Sequence, residues 1–128
     1  MSAPAQSKAL AREAEKDAVI MAALPHVPFD GWNDATLRRA AEDTGLGAGA
    51  AVRLFPAGAR DAITHFMALA DRRMVEDIAA IDLASLKVRE RIAKAVRVRL
   101  ERWTSHREAI RRALALAREL HGATSIEA

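Results

Sequence analysis

The sequence predicts an all-α domain, and three observations predict it. Ala is the dominant residue in a 51 % hydrophobic composition, with only six Gly and four Pro in 128 residues. Apolar residues recur at three- and four-residue steps, the period of one face of an α-helix. No stretch alternates in the way a half-buried strand would. The length suits one domain with an ordinary core that needs no covalent staple.

The elements follow in order. Residues 1–5 read as a flexible tail. A first helix is expected from Gln6 to Leu24, with Leu10, Ala14, Ala18, Met21 and Ala22 as its apolar stripe. Pro25 and Pro28 stop it, because proline lacks the amide donor and clashes with the preceding turn. The connector HVPFDGWND should anchor itself in the core through Phe29 and Trp32. A second helix starts at Asn33 or Asp34, either of which caps free amides. It turns Leu37, Ala40 and Ala41 inward and ends at Gly45, which suits a left-handed position. A third helix covers Ala48 to Phe55, and Pro56 closes it.

A fourth helix is expected from Ala59 to Ile81, with Ile63, Phe66, Met67, Ala70, Met74, Ile78 and Ile81 as its stripe. A break falls between Asp82 and Ser85. The fifth helix, Leu86 to Arg102, carries an apolar line of Val88, Ile92, Val96, Leu100 and Trp103. Ser105-His106-Arg107-Glu108 has the form of a capping box, so a sixth helix should start at Ser105. It should run to His121, with Gly122 as its stop. Residues 6–56 then form a three-helix, helix-turn-helix region. Residues 57–122 begin a second helical region, and 123–128 form a tail.

Composition excludes several kinds of chemistry. The chain has no Cys, so it has no disulfide framework, thiolate nucleophile or Cys-based zinc site; this suits a reducing cytoplasm. The stretch MSAPAQSKALAREAEKD lacks the apolar segment of a secretory signal. No apolar run is long enough to span a bilayer. The four histidines, His26, His65, His106 and His121, have no metal-ligand spacing and read as surface or capping residues. Asp71, Glu76, Asp77 and Asp82 alternate with an apolar stripe, as on a solvated helix face. The glycines of GLGAG join two helices rather than following a strand, so they cradle no phosphate. No catalytic set is visible, and the expectation is a non-enzyme without cofactor or metal.

Charge is unevenly placed. The net is +3, but Leu86–Arg112 holds ten Lys or Arg against three Glu, a net of +7 that leaves −4 for the rest. This segment is either a solvated Arg-rich face or a patch for an anionic lipid surface or acidic partner. Gly31–Phe55 is neutral. Base readout needs donors and acceptors that reach groove edges, and docking needs cations against phosphate. Ala48, Gly49, Ala50, Ala51 and Val52 supply neither, which leaves Arg53 alone. The third helix therefore reads as a structural remnant before it reads as a DNA reader. Met21, Met67 and Met74 read as core, with an adaptable apolar pocket as the alternative.

Two resemblances follow from these residues. Gly31, Trp32, Thr36, Leu37, Ala40, Ala41, Gly45, Leu46 and Phe55 resemble the N-terminal half of TetR-type regulators. Gly47, Ala48 and Val52 stand where such regulators usually carry Ser or Thr, Lys and Tyr. A closer similarity is to the ubiquinone (coenzyme Q) biosynthesis accessory family of the Coq-nine type. The stretches that carry it are AALPHVPFDGW (22–32), AAVRLFPAGARDAITHF (50–66), LKVRERI (86–92) and HREAIRRALAL (106–116). That family resembles a TetR fold converted from DNA binding to lipid binding.

The resemblance implies a TetR-like helical bundle and a non-enzymatic function. It implies binding of isoprenoid lipids or quinone intermediates in an apolar pocket, presented to the di-iron hydroxylase of the ubiquinone pathway at the membrane surface. A cytoplasmic location peripheral to the membrane's inner face and a homodimer go with it, and nucleic acid does not. Family members continue well past the RRALAL helix, whereas this chain turns to ARELHGATSIEA, so a C-terminally truncated bundle is expected. Of the pocket, the inner faces of the fourth to sixth helices would remain: Ile63, Phe66, Met67, Ala70, Met74, Ile78, Val96, Leu100 and Trp103. A bundle cut in this way would leave apolar surface uncovered and prone to self-association. The alternative is a TetR-type DNA-binding transcriptional regulator.

Overall fold

A computed structural model describes residues 3–80 and 87–127, with side chains over 6–80 and 87–120. The protein is all-α, with no strand among the described residues. Helix α1 spans Ala3–Ala23, α2 is the single turn Val27–Asp30, α3 is Asp34–Asp43 and α4 is Gly49–Leu54. Helix α5 spans Ala59–Ala79 and α6 spans Val88–Trp103. A 3-10 turn, Thr104–His106, leads into α7, Arg107–Glu127. The expected break at Asp82–Ser85 lies outside the described residues, as do Ile81 and Leu86.

Local chemistry explains the ends of α3. The Asn33 side chain accepts from the Thr36 amide at 2.9 Å and donates to the Asp30 carbonyl at 2.6 Å. One of the free amides of the first turn is thereby satisfied. The Thr36 hydroxyl donates to the Gly31 carbonyl at 2.7 Å, tying the connector to the same turn. At the other end Gly45 has φ +84°, its amide bonds the Glu42 carbonyl, and the Leu46 amide bonds Ala41. That pair of bonds is a Schellman stop, and it needs the left-handed residue that Gly supplies without strain. Leu37, Ala40 and Ala41 face inward as expected.

The core sits where α1, α3, α4 and α5 meet, and α7 closes it from the side of α2. Three rings form its spine. Phe66 lies 5.6 Å from Trp32 and meets Trp103 edge-on at 5.5 Å, centroid to centroid. The Trp32 indole N–H donates to the Ala109 carbonyl at 3.0 Å, so its one polar group is satisfied where it is buried. Arg112 reaches the Val27 carbonyl at 3.0 Å. One helical turn of the connector is thus fastened to α7.

Several expectations are corrected. In α1 the buried residues are Val19, Ile20 and Ala23, followed by Leu24 just past its end, whereas Leu10, Ala14, Ala18 and Met21 are exposed and Ala22 is half-buried. Only the second half of α1 buries side chains, and there the larger β-branched residues decide which face turns inward. Phe29 is 87 % exposed; Val27 and Trp32 are the anchors of the connector. In α5 the buried set is Ala62, Ile63, His65, Phe66 and Leu69, so His65 is not a surface histidine and Met67 is not core. Met21 is likewise exposed, and Met74 is half-buried.

The Ser105 capping box does not form. The chain passes from α6 to α7 through the 3-10 turn, leaving helical conformation at Trp103 (φ −108°, ψ 7°), two residues before Ser105. Glu108, the carboxylate that would have closed the box, is taken by Arg111 and Arg112. Such charge-assisted bonds outweigh one to a neutral amide. Helix α7 also runs through Gly122 instead of ending at His121.

Candidate functional site

The nine apolar residues expected to hold a ligand are divided by the structure. Ile63, Phe66 and Trp103 are buried in the main core, and Ala70 packs partly against it. They are structural side chains already in contact with protein. Met74 and Ile78 are half-buried on the second half of α5, and Met67 lies at the surface. Val96 and Leu100 are exposed on α6.

The α5–α6 pair is held by one polar clamp. Arg102 donates two bonds to the Asp77 carboxylate, both about 2.5 Å. The guanidinium beside it holds the Asp77 carboxyl below the ordinary aspartate range. Asp77, expected on a solvated face, is thus the residue that fixes α6 to α5. Helix α6 contributes little more to the interior: Trp103 is its one buried residue, with Ala95 and Val98 half-covered.

The expected apolar line of α6 points the wrong way for a core. Val88, Ile92, Val96 and Leu100 are between 53 and 69 % exposed. Only Trp103, the last member of that line, turns inward. By register Trp103 falls between Ile92 and Val96 on the same face, so the difference lies along the helix axis: the C-terminal end of α6 meets Phe66 of α5 and the rest of the line does not. Periodicity alone cannot reveal this, because it detects a stripe but not what covers it.

The region expected to hold a recognition helix is α3, its turn and α4. Ala50, Ala51, Leu54 and Phe55 are buried, while Gly49, Val52 and Arg53 are exposed. Arg53, the one cation on α4, pairs with Glu15 of α1 at 3.1 Å. The outward face of this helix therefore offers a methyl-lined surface and a guanidinium already engaged. A shallow depression of about 70 Å³ between α3 and α4 is lined by Leu37, Ala51, Val52, Phe55 and Pro56 with Asp34 and Arg38. Pockets for small ligands typically run to several hundred Å³, so it is too small for an isoprenoid chain.

A second polar group ties α1 to α5. His65 Nε2 lies 2.6 Å from Asp17 Oδ1, and Arg72 donates to both Asp17 oxygens at 2.7 and 3.0 Å. Glu13 stands 3.7 Å from the other ring nitrogen. Burial pushes the Asp17 carboxyl up, but bonds and charge from Arg72 and His65 outweigh it and leave the group below its ordinary value. The Phe55 ring meets His65 edge-on at 6.2 Å. The sequence held a signal for this cluster. Glu13 and Asp17 share a face at i, i+4 on one helix, and His65 and Arg72 share a face at i, i+7 on another. Only the packing of α1 on α5 brings the two pairs together.

The cluster fastens α1 to α5, with both Asp17 oxygens engaged by His65 and Arg72. Among the described residues no group of three or more His, Asp or Glu is placed to hold a metal ion, and no buried side-chain polar atom lacks a partner. No described helix is long and apolar enough to cross a membrane. No family model, curated protein or solved structure matches the chain.

Proposed function

We propose that the chain is a non-enzymatic, lipid-binding accessory protein of ubiquinone biosynthesis with a TetR-like ancestry. Isoprenoid lipids or quinone intermediates would lie against the incompletely covered apolar side chains of α5 and α6 and be handed to the pathway's di-iron hydroxylase at the membrane surface. The observation that carries this reading is incomplete apolar burial on two helices that pack together, with Val96 and Leu100 exposed on α6 and Met74 and Ile78 half-buried on α5. An isoprenoid chain offers many CH₂ and CH₃ groups, each worth about 0.8 kcal/mol when buried against such a surface. The four resembling sequence stretches supply the pathway; the exposed side chains supply the chemistry.

The second reading is a TetR-type regulator, favoured by the capped α3, the Gly45 stop and the short α4 that follows. Two observations weigh against it. The outward face of α4 lacks base-reading groups, and Arg53 is paired with Glu15.

Mass spectrometry of organic extracts from the freshly purified, folded chain tests the first reading. A stoichiometric isoprenoid or quinone precursor is expected; an empty extract from folded protein would sink it. Titration with duplex DNA tests the second. Negligible affinity is expected. A tight complex that weakens steeply with salt and is lost in Arg53→Ala would instead favour the regulator.

A further inference from the structure

We infer that the outer part of α5 and the whole of α6 form a latched arm that opens as a unit while the core stays folded. Two ties mark its base. On α5, Arg72 donates to both Asp17 oxygens of α1, and Leu69 is the last buried side chain before it. On α6, Trp103 stands edge-on to Phe66. Between Arg72 and Trp103 no described residue is buried. The partly covered side chains of the arm are Arg73, Met74, Asp77 and Ile78 on α5, with Ala95 and Val98 on α6. Helix α6 packs on α5 and on no other helix to a comparable extent.

The balance of interactions puts the weak point here. A helix of about 15 residues is marginal in water on its own and draws its stability from the face it packs. On the core side that face is supplied by Val19, Ile20, Phe66 and Leu69, all buried. Beyond Arg72 the seam has only half-covered side chains, two of them as small as Ala95 and Val98, so opening it exposes little further apolar area. What holds it is the pair of bonds from Arg102 to the Asp77 carboxylate. Arg73 does not stand in for Arg102, because it donates twice to Glu76. A backbone joint adjoins the latch. Trp103 leaves helical conformation, and the 3-10 turn Thr104–His106 follows before α7 begins. The Thr104 hydroxyl donates to the Leu100 carbonyl at 2.6 Å and keeps the last turn of α6 closed on the arm's side of that joint. Positions at the ends of elements are where changes in φ and ψ are absorbed in hinged motions.

In the open form Met74 and Ile78 lose their partial cover, while the Trp32–Phe66–Trp103 spine and the Asp17 cluster stay in place. A ligand or partner that takes only one of the two forms sets their ratio. The arm does not rest on the isoprenoid reading, since opening is a property of the chain by itself. Hydrogen–deuterium exchange of the whole chain, without added ligand and read by mass spectrometry, tests it. Amides of Met74–Ala79 and Ile92–Glu101 should exchange about tenfold or more faster than those of Val19–Ala23 and Ala62–Leu69. Asp77→Asn and Arg102→Met should each speed both arm segments by a further three- to tenfold, roughly the worth of a surface ion pair, and leave the core amides unchanged. Arg99→Met, an exposed neighbour on the same helix, should change neither. Equal rates in arm and core would overturn the inference, because the molecule would then open only as a whole. So would latch variants that speed the core as much as the arm, that speed only the last turn of α6, or that act no differently from Arg99→Met.

Discussion

Asp17 shows how much a single carboxylate does here. It accepts from both arms of Arg72 and from His65, and it sits largely buried between α1 and α5. Asp17→Asn keeps the shape but removes the charge, and should cost roughly 1–3 kcal/mol in a chemical-denaturation midpoint. Acid should act on the same bonds. The Asp17 carboxyl is held below its ordinary value, and that of Glu108 is held at about 2 against an ordinary 4.5 by its bonds to Arg111 and Arg112. A carboxylate with a lowered folded-state pKa contributes stability that is full above its unfolded value and is lost as pH falls toward the folded one. Burial lowers the pKa of His106, so its penalty is absent above 6.5 and grows as pH falls below that value. All three groups act in the same direction. Melting temperature should decline from neutral pH downward, gently at first and then steeply between pH 4.5 and about 2. A flat profile over that interval would refute the assignment.

Among the elements, the junction of α4 and α5 depends on one residue. Gly58 caps α5 with φ +66° and ψ −132°, a region closed to residues with a Cβ. A Cβ there would also come within 2.5 Å of the Asp34 carboxylate. That side chain can swing away, whereas the backbone cannot. Gly58→Ala should therefore destabilise by roughly 1–3 kcal/mol, and adding Asp34→Ala should recover little of it. Substantial rescue in the double variant would mean that crowding, not backbone strain, is the cost. The helix ends were largely legible in the sequence. Asn33, Gly45, Pro56 and Ala59 fall at or beside the observed boundaries, because caps and stops are local chemistry. Ser105 was misleading, since its capping box competes with two arginines brought close by the helix itself.

At the scale of the whole molecule, the aromatic spine decides which candidate residues are structural. Phe66 touches both Trp32 and Trp103, joining the connector, α5 and the α6–α7 joint. Phe66→Ala should cost about 3–5 kcal/mol by opening a cavity in that spine. Leu100→Ala, from the same set of nine, should change stability by less than about 0.5 kcal/mol because its side chain is exposed. Paired denaturation curves would check both. A large loss in Leu100→Ala would mean that α6 packs against protein along its stripe. The candidate site is thus part core and part surface. Helical period cannot distinguish these, because it reports a face and not its neighbour.

The amino-acid order alone settled the all-α class, the capped α3 with its glycine stop, and the neutral, donor-poor character of α4. Each of these depends on residues within a turn or two of one another. It also showed that the basic charge is concentrated on one helix. Three matters had to await the packing of distant segments. One is which face of α1 is buried, where many small Ala residues give nearly equal stripes and Val19, Ile20 and Leu24 break the tie. Another is the pairing of Asp17 with His65 and Arg72 and of Arg53 with Glu15, across dozens of residues of chain. The last is the outward turn of the α6 stripe. A hydrophobic side chain is driven from water but carries no record of its partner, so only the arrangement of the other helices determines whether it meets protein or is left open.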